Sequence, residues 1–126
     1  MNIRKIITGL TLLMLLASGV AVAADLSKGL KAYNSGDFKT ALAEWTPLAE
    51  QGYAKAQTNL GVMYEFGDGV LTDTKRAYMW YNLGSYNGDE LGGENKDLIA
   101  KQMAPADISK AQDMSSRCLE SNYTDC

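Results

Sequence analysis

From Leu26 onward the apolar residues recur three and four apart, the period of a helix with one buried face. The clearest stripe is Phe38, Ala41, Leu42, Trp45, Leu48 and Ala49. Shorter ones are Leu26–Leu30–Tyr33, Ala56–Leu60–Tyr64, Ala77–Trp80–Tyr81–Gly84 and Ile108–Ala111–Ser115–Cys118. Strand-like alternation of Val, Ile or Thr is missing, so the chain reads as all-α. Punctuation divides the stripes. Asp37 and Asp73 stand where a side-chain cap opens a helix, Gly36, Gly52 and Gly88 where one closes, and Pro105 in a first turn. The pattern predicts helices over about Leu26–Ser35, Phe38–Gln51, Ala54–Phe66, Thr74–Tyr86, Lys96–Met103 and Pro105–Ser121. The adjacent glycines Gly92 and Gly93 make 89–95 read as a turn. Six helices in three hairpins is the expected count, the third being degenerate.

The chain also repeats itself at an offset of 36 residues. Asp37-Phe38-Lys39-Thr40-Ala41 returns as Asp73-Thr74-Lys75-Arg76-Ala77, Trp45 as Tyr81, and Gly52 as Gly88. A fixed period of this length predicts a solenoid, in which each helix pair is too small to bury its apolar face and stacks on the next.

Before the first stripe, Arg4 and Lys5 precede an apolar run from Ile6 to Leu16, and Ala21-Val22-Ala23-Ala24 follows with small residues. That is the layout of a secretory signal peptide over residues 1–24, cleaved after Ala23 or Ala24. An uncleaved anchor is the rival, but the run is shorter than the roughly 20 residues a span needs. Residues 25–126 then form a single domain, with no other stretch able to span a bilayer. Without Arg4 and Lys5 it holds ten basic and fifteen acidic side chains, a net charge of −5. An acidic domain with no basic cluster is unsuited to nucleic acid or an anionic membrane surface. Two cysteines, Cys118 and Cys126, read as a disulfide in an exported chain; a thiol metal pair is the alternative, weak without histidine or a third cysteine. The expected location is the bacterial periplasm or the exterior.

Ala56, Leu60-Gly61, Tyr64, Gly67, Gly69-Val70, Asp73, Ala77, Trp80-Tyr81 and Gly88 together resemble the Sel1-like repeat, a relative of the tetratricopeptide repeat. The resemblance is strong over Gly52–Gly88 and weak over Leu26–Gln51. Tyr33 to Asp37 is four steps and Tyr64 to Asp73 nine; the longer link is the Sel1-like form. The resemblance implies a right-handed α-solenoid of antiparallel helix pairs whose first helices line a concave face. It implies an adaptor or scaffold for protein complexes, with no conserved catalytic set. In secreted members of the family, cysteines with seven residues between them tie the two helices of one unit. Cys118 and Cys126 have that spacing but no second helix follows, so the bridge is expected to pin the tail to the last helix as a cap.

The chemistry in the chain is sparse. Histidine is absent, which removes the commonest general base and the usual partner of a nucleophile. The carboxylates Asp89, Glu90 and Glu94 read as a solvated turn; Glu65, Asp68 and Asp73 read as caps and turn formers, without the ligand spacing of a calcium loop. No serine is followed by lysine at the Ser-x-x-Lys spacing. Catalytic residues, metal and cofactor are therefore not expected. Under the implied fold, Lys55, Asn59, Val62 and Phe66 lie opposite the inward stripe of the third helix, where they offer a protein or peptide partner a surface; packing against a neighbouring hairpin is the alternative for Val62 and Phe66. The expected function is an exported interaction module of the cell envelope. The rival functions are an envelope enzyme acting on β-lactams or cell-wall peptide, and a purely structural subunit.

Overall fold

The computed structural model describes residues 24–126, so the expected signal peptide lies outside the described residues except for Ala24. Among these residues there are six helices and no strand: α1 (Leu26–Asn34), α2 (Phe38–Glu50), α3 (Ala54–Phe66), α4 (Thr74–Tyr86), α5 (Glu90–Ala100) and α6 (Pro105–Glu120). None is long and apolar enough to cross a membrane.

Local chemistry sets the ends. The carboxylates of Asp25, Asp37 and Asp73 accept hydrogen bonds from the backbone N–H groups of Ser27 and Lys28, of Thr40, and of Arg76, respectively, which satisfies donors that have no partner inside the helix. The helices α2 and α4 close in one way. Gly52 N–H returns to Ala49 and Tyr53 N–H to Leu48; Gly88 N–H returns to Ser85 and Asp89 N–H to Gly84. This paired turn puts its middle residue in the left-handed region, with φ +88° at Gly52 and +104° at Gly88, where only glycine sits without strain.

The 36-residue offset is a structural offset. Ala41 and Ala77 are both fully buried. Trp45 and Tyr81 are buried as well, and each ring lies against a glycine of the preceding helix, Trp45 on Gly29 and Tyr81 on Gly61. The indole N–H of Trp45 donates to the Leu26 carbonyl at 3.1 Å. The Tyr81 hydroxyl donates to the Glu65 carboxylate. These contacts make α1–α2 and α3–α4 antiparallel pairs, so α1, α3 and α5 run one way and α2 and α4 the other. Helix α6 runs with α4: Lys75 pairs with Asp107 near their starts, and Asn87 meets Tyr123 near their ends.

Two apolar clusters share α4. Met79, Trp80 and Leu83 face Trp45, Leu48, Leu60 and Met63. Ala77, Tyr78 and Tyr81 face Ile99 and Ala111. Thus α4 is buried nearly all round, which is why its expected one-sided stripe missed Tyr78, Met79 and Leu83.

Three expectations need correction. Residues 89–95 are not a turn: α5 begins at Glu90 and runs to Ala100. Gly92 and Gly93 are close-approach positions, since a side chain at Gly92 would lie 2.9 Å from the Tyr81 carbonyl and from the Ser85 nitrogen. On α1 the buried residues are Gly29 and Ala32, while Leu30, expected inward, is 51% exposed. In the third unit, α6 takes α4 as its main packing neighbour rather than α5.

The link between α3 and α4 is tied back onto the first pair. Tyr33 donates its hydroxyl to Asp68 at 2.6 Å, and Gly69 lies against the backbone and Cβ of Phe38. Burial, helped by the Asp68 carboxylate, pushes the Tyr33 phenol up to about 12 from its ordinary 10.0. A raised phenol keeps its proton in the folded state after the unfolded chain has lost it, so this contribution is whole below about pH 10 and fades as pH climbs towards 12.

Two outcomes follow from these contacts. Gly61→Ala should lower unfolding free energy by roughly 1–3 kcal/mol, measured by denaturant titration, because the new methyl must displace the Tyr81 ring. An unchanged midpoint means that the ring is not pressed on α3. In alkaline titration, phenolate absorbance should show one tyrosine ionising near pH 12 that disappears in Tyr33→Phe; loss of an ordinary tyrosine instead overturns the Asp68 clamp.

Candidate functional site

The parallel course of α1, α3 and α5 builds a groove. Its larger part, about 410 Å³, is lined by Leu26, Ser27 and Leu30 from α1, by Lys55, Thr58 and Asn59 from α3, and by Asp89 and Leu91 at the start of α5. A smaller recess of about 120 Å³ adjoins it, formed by Leu30, Tyr33, Asn34, Trp45, Asn59 and Val62. Leu30 and Asn59 belong to both, so the two are one continuous surface across the three helices. Its composition is apolar anchors with neutral amides and a single lysine and aspartate, the mix of a protein-binding surface more than of a reaction centre.

Of the four residues expected to meet a partner, Lys55 and Asn59 line the groove and Val62 lines its recess. Val62 also packs in part against the second apolar cluster. Phe66 ends α3, 66% exposed, and lines neither depression. Two anchors were not expected. The helical stripe of α1 points to Leu30 as core, and Leu91 (53% exposed) lies in the segment where Gly92 and Gly93 point to a turn. A helical reading through Gly92 and Gly93 would have placed Leu91 and Leu98 seven residues apart on one face; both are more than half exposed.

The carboxylate clusters are accounted for locally. Glu65 accepts from Tyr81, Asp68 from Tyr33, and Asp73 caps α4. Burial and the Glu65 carboxylate both push the Tyr81 phenol up, which keeps it a hydrogen-bond donor. The Arg76 guanidinium stands 5.4 Å above the Tyr64 ring, a cation–π distance. Asp89 and Glu90 open α5, where negative charge suits the helix dipole. Among the described residues no group of three or more His, Cys, Asp or Glu could hold a metal ion. A wider, more open depression over α6 carries Lys110, Asp113, Arg117 and Glu120, opposite charges interleaved along one solvated face. The cysteines are bonded: Cys118 and Cys126 form a disulfide with Cα atoms 4.6 Å apart.

Comparison with known proteins agrees with this architecture. Residues 54–89 match the Sel1 repeat, the span from the start of α3 through α4 to Asp89. A stretch of 80 residues, 63% of this chain, is 32% identical to an exopolysaccharide production negative regulator of Rhizobium leguminosarum bv. viciae. The match spans 30% of that relative's length. Helices α3 and α4 and the turn that follows are thus the part of the chain that matches a Sel1 repeat.

Proposed function

We propose that this protein is an exported adaptor of the bacterial cell envelope that holds a protein or peptide partner in the groove of α1, α3 and α5. Sel1 repeats in general mediate protein–protein interaction and are not catalytic. The observation that carries the reading is the continuity of the groove across three helices, with Leu30 and Leu91 half exposed on its walls and Lys55 and Asn59 between them. Apolar anchors ringed by polar groups are how a small surface gains affinity. Phe66, exposed at the end of α3, extends the apolar surface towards the loop. Residues 1–24 act as the signal peptide, and 25–126 are the exported domain.

A photo-crosslinking residue at Asn59 should trap a partner in cells, whereas one at the exposed Gln112 on α6 should not. Leu91→Lys should weaken capture about tenfold, the size of one lost anchor, and Phe66→Ala should weaken it less; both should melt within a few degrees of the parent. Equal trapping at Asn59 and Gln112 sinks the groove assignment, and a large fall in melting temperature for Phe66→Ala shows that residue to be core. Intact mass of protein recovered from the envelope should correspond to a chain starting at Ala24 or Asp25. An uncleaved chain in the cytoplasm overturns export.

A further inference from the structure

We infer that residues 121–126 form a redox-sensitive latch across the edge of the solenoid made by the α2–α3 and α4–α5 turns. Helix α6 ends with the same paired turn as α2 and α4: Asn122 N–H returns to Leu119 and Tyr123 N–H to Cys118. After α2 and α4 the next residue is extended, Tyr53 at φ −69° and Asp89 at −89°, and it opens the following helix. The equivalent residue after α6 is Tyr123, at φ +64°. That sign turns the chain back, so that Cys126 meets Cys118. For a tyrosine this left-handed backbone is unfavourable, because its Cβ crowds the following carbonyl oxygen. The closed covalent ring holds it there.

The turn places Tyr123 across both neighbouring units. Its ring lies over Gly52, with the hydroxyl oxygen 3.5 Å and two ring carbons 3.7 and 3.8 Å from the position of a Cβ there. Its hydroxyl accepts from the Asn87 side-chain amide at 3.0 Å. The same amide donates to Gln57 at 2.8 Å, and the fully buried Gln57 donates to the Ala49 carbonyl at 3.0 Å. One tail side chain thus closes a hydrogen-bonded line from α6 through the α4–α5 turn to α3 and the end of α2.

The bond that holds the latch can be reached. Cys118 is fully buried, but Cys126 is only partly so. A dithiol reductant attacks the Cys126 sulfur as a thiolate; the sulfur–sulfur bond breaks and Cys118 leaves as a thiolate that takes up a proton. The second thiol of the reductant then displaces Cys126 as a thiol, and the reductant ends as a disulfide, having supplied two electrons and two protons. With the ring open, nothing covalent keeps Tyr123 left-handed. The tyrosine leaves Gly52 and Asn87, and the edge of the two turns opens.

Amide hydrogen exchange of the folded protein, oxidised and then treated with dithiothreitol, tests this. Reduction should speed exchange at Gly52, Tyr53, Gly88 and Asp89 by about tenfold or more while the amides of α4 stay protected. Tyr123→Ala with the disulfide intact should speed the same four amides, and Cys126→Ser should resemble the reduced protein. Faster exchange confined to 119–126 on reduction overturns the latch. So does an unchanged rate at Gly52 and Gly88 in Tyr123→Ala, or a bridge that dithiothreitol cannot cut in the folded state. If Cys126→Ser fails to fold, reduction of the native protein and Tyr123→Ala still decide.

Discussion

An aromatic ring pressed onto a helical glycine sets the spacing on which the rest of the molecule depends. Trp45 on Gly29 joins α1 to α2, and Tyr81 on Gly61 joins α3 to α4. The missing side chain lets the two axes approach closely, and the ring fills the space between them at the density of a protein interior. Each ring also has a polar end, and each end is used: the indole N–H by the Leu26 carbonyl, the phenol by Glu65. A bulky residue in place of either ring or either glycine would change the pair distance and so the gap between α1 and α3. That gap is the groove. The packing rule and the candidate binding surface are therefore two sides of one constraint.

Polar groups in the interior reinforce the same geometry. Gln57 is buried without access to water, yet both ends of its amide are engaged, by Ala49 and by Asn87. A buried amide costs little only when fully hydrogen-bonded, so it fixes the α2–α3 turn relative to the α4–α5 turn. Gln57 also sits between Lys55 and Asn59 in sequence, one on each side of it along α3. Whatever disturbs the Asn87–Gln57 line acts on the helix that presents both.

Much of this was legible in the residues. The Asp caps at 37 and 73, the bounds Ala54–Phe66, and the pairing of Trp45 with Tyr81 and Gly52 with Gly88 all follow from local rules that tertiary structure did not override. The misses have physical causes. Gly92 and Gly93 carry a poor helix propensity, and only the nearness of α4 shows why small residues are wanted there. Gly29 is buried but has no hydrophobic signature, so the nine-residue α1 was read with Leu30 inward. Helix α4 is surrounded, and a helix covered on every side shows no stripe. Of the candidate site, Lys55, Asn59 and Val62 could be placed from the resemblance. The anchors Leu30 and Leu91 could not, because each depended on one of those misread segments.

The loop from Gly67 to Asp73 has one further consequence. Its first half is fastened by Tyr33 and Phe38, and its last residue begins α4, yet Leu71 between them is 90% exposed. A stretch clamped at both flanks and free at its crown tolerates added chain with little strain on either anchor. Leu71 is accordingly the position at which a fluorophore, an epitope or an inserted domain could be carried, reporting on the molecule without touching the groove of α1, α3 and α5.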